Sequence, residues 1–288
     1  MTGFDTIAIV DWSAGKRAPA RPTKDAIWIG VTRNGEDLEP VYCRSRIEAE
    51  VWLNGFIEAE AEAGLRVLIG FDFPFGYPRG FVRHVTGSDD PLAFWDWLEA
   101  RITDSEAGEN NRFDVASEIN CLFDGQGPFW GKPSETGWPD VPYRKAGISD
   151  DICAERRACD LAAKASSSCF QLFFNPTVGS QALMGLPMLA RLRRRAGVAV
   201  WPFQDWSDAQ TVLVEIWPGL IEQAVKEVQG NEIRDAAQVR LLARALAGLS
   251  PDALQMMLED IGPEARDEAW ILGAGHTDEL IAAARGPV

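Results

Sequence analysis

The sequence predicts an α/β protein in which a mixed sheet is flanked by helices and interrupted by a large, mostly helical insertion. Three apolar runs carry this reading: Thr6-Ile-Ala-Ile-Val-Asp11-Trp-Ser13, Val67-Leu-Ile-Gly-Phe-Asp72-Phe-Pro74 and Thr211-Val-Leu-Val-Glu215-Ile-Trp-Pro218. Unbroken β-branched and aliphatic runs of this length are strands buried on both faces of a sheet. Each of them ends in an acid followed by a turn. A second observation is the helical period between the first two runs. A third is the stretch from about 76 to 210, where regular alternation gives way to Trp, Gly and Pro-rich connections between helical segments.

Taken in order, residues 6–13, 26–32 and 38–43 read as strands, the last two joined by an Asn34-Gly35 hairpin turn. Residues 46–63 place Ile47, Val51, Phe56 and Ile57 among acids, an amphipathic helix stopped by Gly64, and 66–73 returns as a strand. In such a β-β-β-α-β unit the strand after the helix lies beside the first and parallel to it, so Asp11 and Asp72 become neighbours. Helices are predicted at 91–102, 151–165 and 180–196, the last with Ser180 as N-cap. After the strand at Thr211 come helices at 219–228, 232–247, 251–260 and 264–285, with Ser250-Pro251-Asp252 as a start signal. The expected core is therefore 1–75 with 211–288, and 76–210 is an insertion packed on it.

A net charge of −15 argues against general affinity for nucleic acid, which needs a basic surface. The charge is uneven, since Arg144 to Arg195 holds nine Lys or Arg against four Asp or Glu, and a polyanion is expected to approach from that side. No run approaches the ~18 apolar residues of a membrane span and no signal-peptide pattern opens the chain, so no membrane partner and a cytoplasmic location are expected. Five cysteines without a Cys-x-x-Cys read as reduced structural thiols.

Acids at the ends of buried strands need a partner, because an unpaired carboxylate there costs several kcal/mol. Clustering Asp11, Asp72 and Glu215 around Mg²⁺ or Mn²⁺ at one mouth of the sheet supplies it. Glu232-Ile-Arg-Asp235 opens the following helix and brings Asp235 as a fourth carboxylate, favoured there by the helix dipole. The order of Asp11, Asp72, Glu215 and Glu232-x-x-Asp235-Ala resembles the ribonuclease H-like superfamily, especially its Holliday-junction-resolvase branch. More narrowly, Val10-Asp11-Trp-Ser13, Gly70-Phe-Asp72-Phe-Pro74-Phe-Gly76, Val178-Gly-Ser-Gln181, Val200-Trp-Pro-Phe203 and Val214-Glu215-Ile-Trp-Pro218 resemble an uncharacterised bacterial domain family predicted to be ribonuclease H-like nucleases. The resemblance implies a ribonuclease H-like fold, metal-binding roles for Asp11, Asp72 and Asp235 with Glu215 as the further acid, and phosphodiester hydrolysis by two-metal in-line attack of water on nucleic acid or a small phosphoester.

Ser13, Lys16, Arg144, Lys145, Ser180 and Gln181 are the residues expected to bind substrate phosphate. The loop Asp11-Trp-Ser13-Ala-Gly15-Lys16 also resembles the first phosphate loop of actin-like and sugar-kinase ATPases, which leaves a nucleotide-binding phosphotransferase as an alternative. A non-catalytic binding protein with a degenerate acidic site is another. Phe129, Trp130, Trp138 and Tyr143 offer either a base-stacking platform or a loop packed on itself.

Overall fold

The computed structural model describes residues 3–145, 152–164, 167–175, 177–228 and 230–286. Its strands are β1 (Thr6–Asp11), β2 (Ile27–Arg33), β3 (Glu36–Asp37), β4 (Val41–Cys43), β5 (Val67–Phe71), β6 (Val198–Val200) and β7 (Thr211–Glu215). Its helices are α1 (Arg46–Glu62), α2 (Phe81–Thr86), α3 (Leu92–Glu99), α4 (Arg112–Asn120), α5 (Ala158–Ala162), α6 (Gly179–Leu192), α7 (Glu222–Val228), α8 (Arg234–Ala247), α9 (Pro251–Glu259), α10 (Ala265–Glu268) and α11 (Thr277–Arg285). All seven strands join one mixed sheet in the order β3-β2-β1-β5-β7-β6, while β4 pairs with the other half of the outer edge of β2. Strands β1, β5, β7 and β6 are mutually parallel, and β2 is antiparallel to β1.

The meander-helix-strand start forms, except that the single strand expected at 38–43 is replaced by two short strands, β3 and β4, that pair with different parts of β2. Asn34 and Gly35 take φ of 50° and 81°, the left-handed pair that a two-residue hairpin turn demands. Ser45 caps α1 by accepting from the Glu48 N–H at 3.2 Å. The helix then lays Ala49, Leu53, Phe56 and Ile57 on the sheet and hands the chain to β5, which pairs with β1 from Thr6↔Val67 to Val10↔Phe71.

Each face of the sheet carries its own core. On one side Val10, Ile29, Ile69 and Phe71 pack with α1 and with the insertion, through Phe73, Phe75, Trp95, Leu183 and Leu186. On the other, Ile7, Ile9, Val212 and Val214 pack with Val239 and Leu242 of α8, Leu254 of α9 and Leu280 of α11. The insertion shares its apolar cluster with the sheet and so caps it. Its end is part of the sheet itself, since β6, at 198–200, pairs with β7 inside the stretch that the sequence assigns to the insertion.

Three helix expectations are corrected. The segment 264–285 breaks into α10 and α11, because Ala269, Gly273 and Gly275 take φ of 70°, 84° and 96°, and the extended piece between them bridges Ile271 to Glu215. Within 151–165 only Ala158–Ala162 is helical, and Asp151 and Ala165 lie outside the described residues. Ser180 is not an N-cap: it lies inside α6, whose cap position is Val178, and its hydroxyl donates to the Leu172 carbonyl at 2.6 Å.

Helix α8 approaches β2 closely, for a Cβ on Gly30 would lie 2.4 Å from the backbone carbon of Val239. Glycine permits that approach, and the approach fixes where α8 begins. Gly30→Ala is therefore expected to destabilise the protein by about 1–3 kcal/mol through overpacking, read as a lower urea midpoint at unchanged m-value.

Candidate functional site

Because β1, β5 and β7 are parallel, their terminal acids emerge at the same end of the sheet. Asp11 is the last residue of β1, Asp72 follows β5, and Glu215 closes β7. The Asp72 N–H donates to the Val10 carbonyl at 3.2 Å, and its carboxylate accepts from the Trp12 N–H at 2.7 Å. These two bonds staple the ends of β1 and β5 together and bring the two carboxyl groups into a mutual hydrogen bond.

That contact sets the electrostatics. Burial pushes Asp72 up to about 6 from its ordinary value of 3.8, against the pull of its hydrogen bonds to Asp11 and the backbone. Asp11 is raised well above the usual carboxylate range, first by burial, then by the charges of Asp72 and Asp235. Two charges this close repel, and both carboxyls are thereby pushed toward the protonated form.

Asp235 stands in the first turn of α8 and faces the same mouth. Because β2 runs antiparallel to β1, its start lies beside the end of β1, and there the Asp25 N–H donates to Asp235 Oδ2 at 2.7 Å. Burial raises the Asp235 carboxyl as well, with the Asp25 hydrogen bond opposing it. Glu232, the other acid of that motif, turns away to Arg240 at 2.6 Å.

Glu215 has a different fate. It is 3% exposed, and its two oxygens accept from Arg157 Nη1 and Nη2, both at 2.7 Å, while Oε2 also accepts from the Phe75 N–H at 2.8 Å. Arg157, itself 1% exposed, also donates to Asp160 and weakly to the Glu268 carbonyl. Burial still pushes the Glu215 carboxyl up, while Arg157 pulls it down. The structure thus pairs Asp11 with Asp72, sets Asp235 at the same mouth, and commits Glu215 to a buried ion pair. Arg157 lies in the basic stretch from Arg144 to Arg195, and nothing local marks it as the counter-ion of a residue 58 positions away.

Among the described residues no group of three or more His, Cys, Asp or Glu is drawn close enough to hold a metal ion. The donor chemistry nonetheless suits a hard cation of the magnesium type, which keeps several waters and needs one or two carboxylates from the protein. Asp11 and Asp72 are the two carboxylates at this mouth that could supply such donors.

The expected phosphate ligands are scattered. The Ser13 hydroxyl is used inside its loop, donating to the Asp25 carbonyl at 3.0 Å and accepting from the Gly15 N–H at 3.2 Å, and Lys16 is exposed beyond it. Arg46, 6% exposed, holds that loop by donating to the Ser13 and Gly15 carbonyls while its other edge grips Asp104 at 2.6 Å. Arg144 is exposed and Lys145 pairs with Glu155. Ser180 accepts from Arg112 Nε at 2.9 Å, and Gln181 beside it keeps Oε1 buried without a hydrogen-bond partner.

The arginines that close the basic segment are neutralised by the fold. Arg191 pairs with Glu50, Arg193 with Asp96, Arg194 with Glu99 and Asp96, and Arg195 donates to Asn54, so acids of α1 and α3 neutralise the cluster. The aromatic loop packs on itself: Phe129 is fully buried, Trp138 lies 4.8 Å from Phe113 and donates to Asp114, and Tyr143 meets Phe174 edge-on.

A cavity of about 160 Å³ opens beside Asp72, between the sheet's carboxyl ends and Thr177-Val178 of the insertion. Binding sites of open α/β sheets lie at such strand ends. Among the described residues no helix is long and apolar enough to cross a membrane. No protein-family model, curated protein or solved structure matches the chain.

Proposed function

We propose that the protein is a metal-dependent phosphodiester hydrolase of the ribonuclease H-like kind, with Asp11 and Asp72 as its central carboxylates. The observation that carries this reading is the hydrogen-bonded Asp11–Asp72 pair on adjacent parallel strands, with Asp235 opposite. Two carboxyls forced into contact in a half-buried mouth are costly for stability alone. They are the arrangement that a site for a divalent ion requires. Mg²⁺ or Mn²⁺ bound there would supply Lewis acidity at a phosphoryl oxygen and lower the pKa of a bound water.

The chain's own residues do the rest. Asp11 and Asp72 would present an oxygen each to the ion, with any proton between them passing to solvent. Asp235, tethered through the Asp25 N–H, would accept a proton from an attacking water. The Trp12 N–H fixes Asp72 in orientation, and the buried wall of Trp12 and Phe73 excludes solvent from one side. Glu215 sets the shape of the mouth through Arg157 and is not a ligand in this reading, which calls for one ion rather than two. The phosphotransferase alternative is less well supported, because the Ser13 hydroxyl is already spent on Asp25 and Gly15.

The test is a Mn²⁺ titration followed by thermal melting and by hydrolysis of a labelled single-stranded oligonucleotide. Native protein at a hundredfold excess over Kd should gain about 2.7 kcal/mol and cleave. Asp11→Asn and Asp72→Asn should lose both effects, Asp235→Asn should keep a reduced shift, and Glu215→Gln should keep the full shift. Equal shifts in native and Asp11→Asn protein would sink the reading and favour a binding protein.

A further inference from the structure

The walls of the cavity beside Asp72 define what it can take. Its volume of about 160 Å³ is well below the roughly 300 Å³ at which sites begin to enclose a whole drug-sized ligand, so it holds one ring system. Its sides are Phe73, Pro74, Val178, Ile216, Trp217 and Ile271. The Trp217 indole is backed by Gly219, where a Cβ would come within 2.4 Å of the ring, so the ring lies directly on the backbone.

The floor is polar but closed to phosphate. Arg157 spends its guanidinium N–H groups on Asp160, Glu215 and the Glu268 carbonyl. With Asp72, the lining holds three carboxyl groups against that one committed cation. A phosphate is repelled by such a floor, whereas the N–H edge of a flat neutral ring finds acceptors on it. A nucleobase combines an aromatic face, an N–H edge and a phosphate one sugar away.

We propose that this cavity receives a single nucleobase of the substrate, stacked on Trp217 with its N–H edge toward the carboxylates of the floor. The adjoining phosphate then lies at Asp11 and Asp72. Only that second placement rests on the hydrolase reading, since base recognition needs no metal. A base inside a duplex cannot reach such a pocket without leaving its stack, so the site selects single nucleotides or single strands.

The test is calorimetric titration of the full chain, with and without Ca²⁺, using adenosine 5′-monophosphate, ribose 5-phosphate, an unstructured oligonucleotide and the same oligonucleotide annealed to its complement. Native protein should prefer the nucleotide over the base-free sugar phosphate by about tenfold or more, the worth of one aromatic stack. Trp217→Ala should erase that preference without changing affinity for ribose 5-phosphate, and Trp217→Phe should retain it. Should Trp217→Ala not fold, Val178→Trp, which fills the cavity and keeps the stacking ring, should erase the preference as well. An oligonucleotide that binds more tightly than the nucleotide identifies a strand as the source of the base, and equal affinity identifies a free nucleotide. No nucleotide binding, equal binding of nucleotide and sugar phosphate, or duplex binding as tight as single strand would overturn the proposal. If the base preference persists while Mn²⁺ leaves the melting temperature unmoved, the metal reading alone fails; a full Mn²⁺ shift without base preference removes only the base site.

Discussion

Arg157→Met should destabilise the protein by about 3–5 kcal/mol, the cost of leaving buried carboxylates without their cation. Both Glu215 and Asp160 depend on this guanidinium, and all three side chains are at most 3% exposed. Without it Glu215 keeps the Phe75 N–H, which carries no compensating charge, and burial drives its protonation. The pH dependence follows from that. A carboxyl whose folded pKa lies above its unfolded value contributes stability at low pH that is lost as pH rises through the folded pKa. The deficit of Arg157→Met should therefore be smallest near about pH 4 and grow toward neutrality. Adding Glu215→Gln and Asp160→Asn to the Arg157→Met protein should restore most of the loss, because it removes the uncompensated charges together. Urea denaturation of native, single-variant and triple-variant protein across that pH range is the measurement. A flat, small deficit would mean that the triad is hydrated in solution.

Asp11→Asn should do the opposite. In native protein without divalent ions Asp72 titrates at about 6 in the fold against an ordinary value of 3.8, and Asp11 is raised further by burial and by its acidic neighbours. Between those values the folded state holds protons that the unfolded chain has released. Stability then falls as pH rises through the window from about 4 to 6 and beyond, by up to about 1.4 kcal/mol for each pH unit and each proton retained. Replacing Asp11 by Asn removes a repelling charge and leaves an amide N–H to donate to Asp72. The variant should gain about 1–3 kcal/mol near neutral pH, and its stability curve should be flatter over that window. Saturating Mn²⁺ should stabilise native protein and leave Asp11→Asn where it was. If the variant proves less stable than native protein without metal, the pair is a structural hydrogen bond and not a repelling site.

These two outcomes separate acids that look alike in sequence. Asp11, Asp72 and Glu215 occupy matching places, each at the end of an apolar run and each followed by an aromatic or aliphatic residue and a turn. Local pattern therefore places all three correctly at one mouth of a sheet. It also places Asp235, because an acid in a first helical turn after β7 is visible from the order of elements alone. What becomes of each carboxylate depends on what stands opposite it. Asp11 faces Asp72 because β1 and β5 are neighbours, and Glu215 faces Arg157 because a loop of the insertion passes beneath β7. The same holds for Arg191 to Arg195, a basic cluster along the chain that folding sets against Glu50, Asp96 and Glu99.

The sequence by itself determined the α/β class, the hairpin at Asn34-Gly35, the crossover through α1 and the gathering of acids at the carboxyl ends of parallel strands. These follow from periodicity, turn chemistry and the handedness of a short crossover, all of which act over a few residues or a single unit. Only the tertiary structure decided the rest. It committed Glu215 to Arg157, set the carboxyls of Asp11 and Asp72 against each other, broke the last helical stretch at Gly273 and Gly275, drew β6 out of the insertion into the sheet, and formed a cavity between Trp217 and Phe73. The reason is that ion pairing, desolvation and cavity shape depend on distances between side chains far apart in the chain, and those distances exist only once the layers have packed.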